Sequence, residues 1–135
     1  MTELNELYRC SICGNIVEVV ADGAGELVCC GEPMEKIEAA KEENMYEKHL
    51  PVLIKDENEK YIVRVGKTEH PMEESHYIMF IEALSKDGKY LKRVYLKAGE
   101  KPELDPECTC KNFNARELCN VHGLYEAELS KEKAD

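Results

Sequence analysis

Four cysteines crowd the first thirty residues of this chain: Cys10-x-x-Cys13, then the adjacent pair Cys29-Cys30. This feature constrains the fold more than any other. A segment as short as residues 1–36 buries too little surface to hold itself together. Below about 40 residues a metal or disulfides usually supply the missing stability. Cys10-x-x-Cys13 sets two thiolates across one tight turn, and Gly14 lets the backbone bend around an ion. Neighbouring residues of a regular strand point to opposite sides. Cys29 and Cys30 therefore reach one ion only where the chain bends, which Gly31 permits. The product is a tetrahedral four-thiolate site, compatible with zinc and with iron. A disulfide framework is the weaker alternative, because it needs an oxidising compartment. The seven cysteines of the chain cannot in any case pair completely.

Charge and hydropathy set the outer limits. Eighteen basic residues against 28 acidic ones give a net charge of −10. That excess opposes binding to nucleic acid, whose affinity rests on neutralising phosphates, and to anionic membrane surfaces. An anionic small substrate would need a local positive site to overcome the global field. No apolar run approaches the roughly 20 residues of a membrane span. The segment Met1–Arg9 has no basic start followed by an apolar stretch, so a cytoplasmic protein is expected.

Beyond the cysteine-rich segment the pattern is strand-like. Asn15–Val20 and Glu26–Cys29 read as two short strands joined as a hairpin by Asp22-Gly23-Ala24-Gly25. Lys36–Lys48 is charged and suits a helical turn or a linker. Val52–Lys55 and Tyr61–Val65 flank the turn signal Asp56-Glu57-Asn58-Glu59. His76–Leu84 is a long apolar run, followed by Asp87-Gly88 and Tyr90–Leu96, and Leu124–Leu129 closes the series. Short strands with regular turn signals predict an all-β sandwich or barrel.

All four histidines lie outside the first cysteine group. His70 and His76 are six residues apart, a spacing that returns both to one face of a strand but not of a helix, so they can converge on one metal only in an extended or looped setting. Pro71 also argues against a helix there. Cys119-x-x-His122 is a second chelating pair, followed by Gly123. His49 precedes Leu50-Pro51 at the mouth of the first long strand. Singly, each histidine is more often a surface or hydrogen-bonded residue than a ligand, and a lone Cys119 more often a small buried hydrophobe. The His70-Pro71 and Cys119-x-x-His122 spacings raise the joint case. Four nitrogens and one sulfur would leave one octahedral position for small-molecule chemistry, and a thiolate pushes electron density onto an iron opposite an open position.

At this point the residues resemble the desulfoferrodoxin family, the two-iron superoxide reductases. Tyr8-Arg9-Cys10-Ser11-Ile12-Cys13-Gly14-Asn15 with Cys29-Cys30-Gly31 is similar to the family's desulforedoxin module. Glu47-Lys48-His49-Leu50-Pro51-Val52 is similar to its Glu-Lys-His-x-Pro motif. His70-Pro71-Met72-Glu73-Glu74-Ser75-His76-Tyr77-Ile78 resembles its paired-histidine motif, and Cys119-Asn120-Val121-His122-Gly123 its terminal ligand motif. The motifs occur in family order and span nearly the whole chain.

The resemblance implies an all-β fold: a four-cysteine module over residues 1–36, then an immunoglobulin-like β-sandwich over residues 37–135. It implies two irons per chain. A rubredoxin-like iron would be held by Cys10, Cys13, Cys29 and Cys30. A catalytic iron would be held equatorially by His49, His70, His76 and His122, with Cys119 axial. The reaction would be one-electron reduction of superoxide to hydrogen peroxide, with electrons from rubredoxin or a similar donor, in a homodimer. Lys48 would be the local cation that attracts superoxide, and Glu47 would ligate the ferric iron after peroxide leaves. Without the resemblance, Glu47-Lys48 reads as a solvated charge pair. Cys108-Thr109-Cys110 belongs to none of these motifs. Phe80 stands where the family leads one to expect tryptophan, a packing substitution. The alternatives are a rubredoxin-like electron carrier without superoxide chemistry and a zinc-stabilised interaction module.

Overall fold

The structure, a computed structural model, describes residues 1–42, 49–66, 70–107 and 111–134. It divides into two compact units, Met1–Glu38 and Ala39–Asp135. Among the described residues the regular structure is β, apart from one short 3-10 turn at Lys131–Lys133.

The first unit holds β1 (Leu7–Arg9), β2 (Ile16–Glu18), β3 (Val28–Cys29), β4 (Glu32–Pro33) and β5 (Glu35–Lys36). β1 lies between β2 and β5, antiparallel to both. β3 pairs with β4. The expected hairpin between Asn15–Val20 and Glu26–Cys29 therefore does not form. The Asp22–Gly25 loop is tied from outside instead. Thr2 N donates to Gly23 O at 3.0 Å, Gly23 N donates to Thr2 Oγ1 at 3.1 Å, and the Met1 amine donates to Gly25 O at 2.9 Å. With its polar groups taken this way, the loop does not close a tight turn. Leu7, Cys10 and Val19 are the buried apolar side chains of this unit. So few cannot offset the conformational entropy of ordering such a segment, which is why a bound ion matters here.

The second unit holds β6 (Ala39–Ala40), β7 (Pro51–Lys55), β8 (Tyr61–Val65), β9 (Ile78–Ser85), β10 (Leu91–Tyr95), β11 (Glu103–Leu104), β12 (Asn112–Cys119) and β13 (Gly123–Ser130). They form a five-stranded sheet, β10-β9-β12-β13-β6, and a three-stranded sheet, β11-β8-β7. Leu53, Val63, Val65 and Leu104 of the small sheet meet Ile81, Ala83, Phe113, Ala115 and Leu129 of the large one in a single core. The result is an immunoglobulin-like sandwich. The β7–β8 turn is set by Asp56, whose Oδ1 accepts from Asn58 N at 2.8 Å and Lys60 N at 2.9 Å. At the β9–β10 turn Gly88 has φ +74°, a conformation glycine adopts without strain.

β12 is a central strand that the sequence pattern does not announce. Toward the core it carries Phe113, Ala115, Glu117 and Cys119; its other face carries Arg116 and Leu118, and all six are buried. Arg116 Nη2 lies 3.1 Å from Glu82 Oε2 on β9, and Arg93 Nη2 lies 3.2 Å from the same carboxylate. Phe80 is buried beneath the guanidinium of Arg93, 5.5 Å from its ring centroid. Within Lys36–Lys48, Lys36 ends β5 and Ala39–Ala40 run parallel to Leu124–Tyr125, so the described part holds strand pairing rather than a helical turn. Residues 43–48 lie outside the described residues.

Candidate metal centres

The four cysteines of the first unit converge. Their sulfurs all lie within 4.8 Å of one another. Cys30 at φ +55° and Gly31 at φ +77° supply the bend that lets both members of Cys29-Cys30 face the cluster. Gly14 N donates to Cys10 O at 3.0 Å, closing the Cys10–Cys13 turn. Cys13 Sγ lies 3.6 Å from Cys29 Sγ, and Cys29 Sγ lies 3.9 Å from Cys30 Sγ. These separations are far beyond the ~2 Å of a disulfide. They bracket the ~3.8 Å edge of a tetrahedron with metal–sulfur bonds of ~2.3 Å. Amide N–H groups of Cys13 and Ile12 pull the Cys10 thiol down to about 6. The neighbouring thiols, Cys13 first, push Cys29 up to about 12 and raise Cys30. Four thiols this close cannot all ionise without a cation between them, so the donor set fits a metal ion.

A second cluster lies in the sandwich. Donor atoms of His49, His70, His76 and Cys119 all lie within 4.8 Å of one another. His122 adds a fourth ring. The centroids of His49–His70, His70–His76, His76–His122 and His122–His49 are 4.7, 4.8, 4.8 and 4.8 Å apart. Each of these pairs is crossed at 69° to 78°. The His49–His76 separation is longer, 6.4 Å, as the diagonal of a square must be. The four imidazoles thus form a near-square array.

The elements explain this placement. His49 lies two residues before the start of β7. His70 and His76 lie on the loop before β9, where Glu73 and His76 exchange backbone bonds of 3.0 Å in both directions. That is the looped one of the two settings the spacing allows. Cys119 ends β12, beyond a register shift between Leu118 and Cys119, and irregularities of this kind re-aim a side chain. His122 sits in the turn to β13.

His70 is the least accessible of the four imidazoles at 1 % exposure. Its Nδ1 donates to Pro71 O at 2.6 Å, which leaves Nε2 as the acceptor nitrogen. That Nε2 is buried with no hydrogen-bond partner, an expensive state that a metal relieves. Burial pulls His70 down to about 4, with the neighbouring imidazoles adding to the effect, so it stands neutral and ready to ligate. Burial raises Cys119, against the opposing pull of the His122 and Val121 amides. His122 N donates to Cys119 Sγ at 3.5 Å. Glu47 and Lys48 lie outside the described residues, as do Cys108 and Cys110.

The family model described as "Desulfoferrodoxin, N-terminal domain" matches residues 2–37, and that described as "Desulfoferrodoxin" matches residues 41–128. The desulfoferrodoxin of Syntrophotalea carbinolica is 45% identical over 128 residues, 95% of this chain and 99% of that protein. This chain belongs to the desulfoferrodoxin family. The desulforedoxin of Megalodesulfovibrio gigas is 47% identical over 36 residues, 27% of this chain and 97% of that protein. The crystal structure of the superoxide reductase from Treponema pallidum aligns with a TM-score of 0.65 at 22% identity, over 90% of this chain and 94% of that one. That likeness shows a shared fold.

Both donor sets of this chain suit the two irons of the family. The four-sulfur cluster suits a rubredoxin-like iron, and imidazoles with a thiolate suit a non-haem iron. Sequence reasoning missed three residues around the second set. Tyr125 stacks on His49, centroids 4.6 Å apart and 16° from parallel. Glu117 is fully buried two residues before Cys119, on the same face of β12. Asn120 bonds to both residues that flank His76. For Tyr125 and Glu117 the signal was strand alternation, readable only once β12 and β13 are paired. Asn120 stood in view inside a quoted motif.

Proposed function

We infer that this chain is a superoxide reductase. The observation that carries the reading is the near-square of four imidazoles beside one buried cysteine, in a member of the desulfoferrodoxin family. An electron carrier needs no such second donor set. Iron held there would supply the one electron that, with two protons, reduces superoxide to hydrogen peroxide.

The side chains divide the work. His49, His70, His76 and His122 would hold the iron, with His70 locked by its bond to Pro71. Cys119 would hold the iron from inside the sandwich and supply it with electron density, and the His122 amide, donating to its sulfur, tempers the charge there. Lys48 attracts the superoxide anion against the net charge of −10 and helps orient the water that delivers a proton. Glu47 would supply a further carboxylate ligand to the oxidised iron. Residues 1–36 form the four-cysteine iron module and 37–135 the catalytic domain. The electron donor is reduced rubredoxin or a similar carrier, and the protein works as a cytoplasmic homodimer.

A visible spectrum with iron quantification tests this reading. Two irons per chain, with two thiolate-to-iron bands of which one appears only on oxidation, support it. One iron and one rubredoxin-like band leave an electron carrier. A colourless, zinc-loaded protein that takes up no iron on reconstitution leaves a structural module.

A further inference from the structure

We propose that Asn120 is the positioning residue that holds His76 against Cys119, its carboxamide acting as one more rung of the β9–β12 ladder. The inference rests on the reading of His76 and Cys119 as ligands of one ion. It is built on the backbone around His76, not on the ring.

The ladder between β12 and β9 runs to Cys119, opposite Ile78. Asn120 N then donates to Tyr77 O at 3.1 Å. Beyond that point the backbone of β12 turns away toward β13 and offers Tyr77 no carbonyl. The side chain of Asn120 offers one instead: Tyr77 N donates to Asn120 Oδ1 at 2.8 Å. The amide end completes the mimicry, as Asn120 Nδ2 donates to Ser75 O at 3.2 Å. A carboxamide has the donor and acceptor of a peptide group, so it extends the strand where the main chain cannot.

Ser75 O and Tyr77 N belong to the two peptide groups on either side of the His76 Cα. The remaining two groups, His76 N and His76 O, are bonded to Glu73 O and Glu73 N at 3.0 Å each. Every backbone polar group bearing on His76 is thereby fixed. Two of the four are fixed by the residue that follows Cys119. The side chain thus couples the His70–His76 loop to the Cys119–His122 turn, two segments more than forty residues apart in sequence. No shorter polar side chain reaches both groups. Aspartate keeps the acceptor and loses the donor.

The test is the rate at which the holoprotein loses its histidine-site iron to a chelator, read from the oxidised thiolate-to-iron band, with the four-cysteine band as internal reference. Outer partners of metal ligands typically change affinity by about 10–100-fold when removed. Asn120→Ala is expected to speed release by about that factor and to shift the Cys119-dependent band, with the four-cysteine band unchanged. Asn120→Asp is expected to fall between it and the parent, and carries the test if the alanine variant does not fold. Release and band identical to the parent in the folded variants overturn the proposal. His76→Ala separates the premise: if that variant also keeps its iron at the parent rate, His76 is not a ligand and the site reading fails with it. If His76→Ala loses the iron while Asn120→Ala does not, only the clasp fails.

Discussion

Tyr125 lies flat on His49, ring centroids 4.6 Å apart and planes 16° from parallel. The contact fixes the plane of an imidazole that comes from the start of β7, using a side chain from β13. Stacked aromatic pairs contribute about 0.5–1.5 kcal/mol beyond their buried area. Tyr125→Leu is therefore expected to speed chelator-driven loss of the histidine-site iron by about 2–10-fold, and Tyr125→Phe to leave it at the parent rate. Equal rates in all three proteins would show that His49 is held without Tyr125.

Cys13 lies in a unit whose four sulfurs form a complete set by themselves. Cys13→Ser is expected to abolish the rubredoxin-like band. Reduction of superoxide by chemically pre-reduced protein is expected to continue at the parent rate, measured in a single turnover. A matching fall in that rate would make the four-cysteine iron an obligatory participant.

Much of both sites is legible in the sequence, because metal ligation demands fixed residue types at short spacings. Cys10-x-x-Cys13, Cys29-Cys30 and Cys119-x-x-His122 announce themselves. The fold was legible in part. Val52–Lys55 and Tyr61–Val65 alternate or branch at Cβ around a turn centred on Asp56, and the paired strands follow. β12 was missed because Arg116 and Glu117 break the apolar pattern of a strand buried on both faces. Glu82 compensates Arg116 from the neighbouring strand, which no local window shows. The hairpin expected across Asp22–Gly25 failed because Thr2, remote in sequence, binds that loop.

Lys48 carries the steering argument. Lys48→Ala is expected to slow superoxide capture by roughly tenfold at low salt, with a flatter dependence on ionic strength. Stopped-flow or pulse-radiolysis rates across a salt series check it. An unchanged salt profile removes Lys48 from that role.

His70 gives the iron-free protein a defined acid sensitivity. Its folded pKa, pulled from 6.5 down to about 4 by burial, lies below the unfolded value. The unfolded chain therefore binds the proton first as pH falls. Stability is full above about 6.5, declines between there and about 4, and levels off below, a loss of about 3 kcal/mol at most for one proton. Denaturant midpoints of the iron-free protein are expected to fall across that window, and His70→Gln to flatten this part of the slope. A midpoint rising as pH falls would reverse the assignment.

The ratio of products separates a superoxide reductase from a dismutase. With a reduced donor present, this chain should form one hydrogen peroxide for each superoxide consumed and release no dioxygen. One peroxide for every two superoxides, with dioxygen evolved, would mark a dismutase and contradict the reading, as would superoxide decay no faster than in buffer with the iron in place.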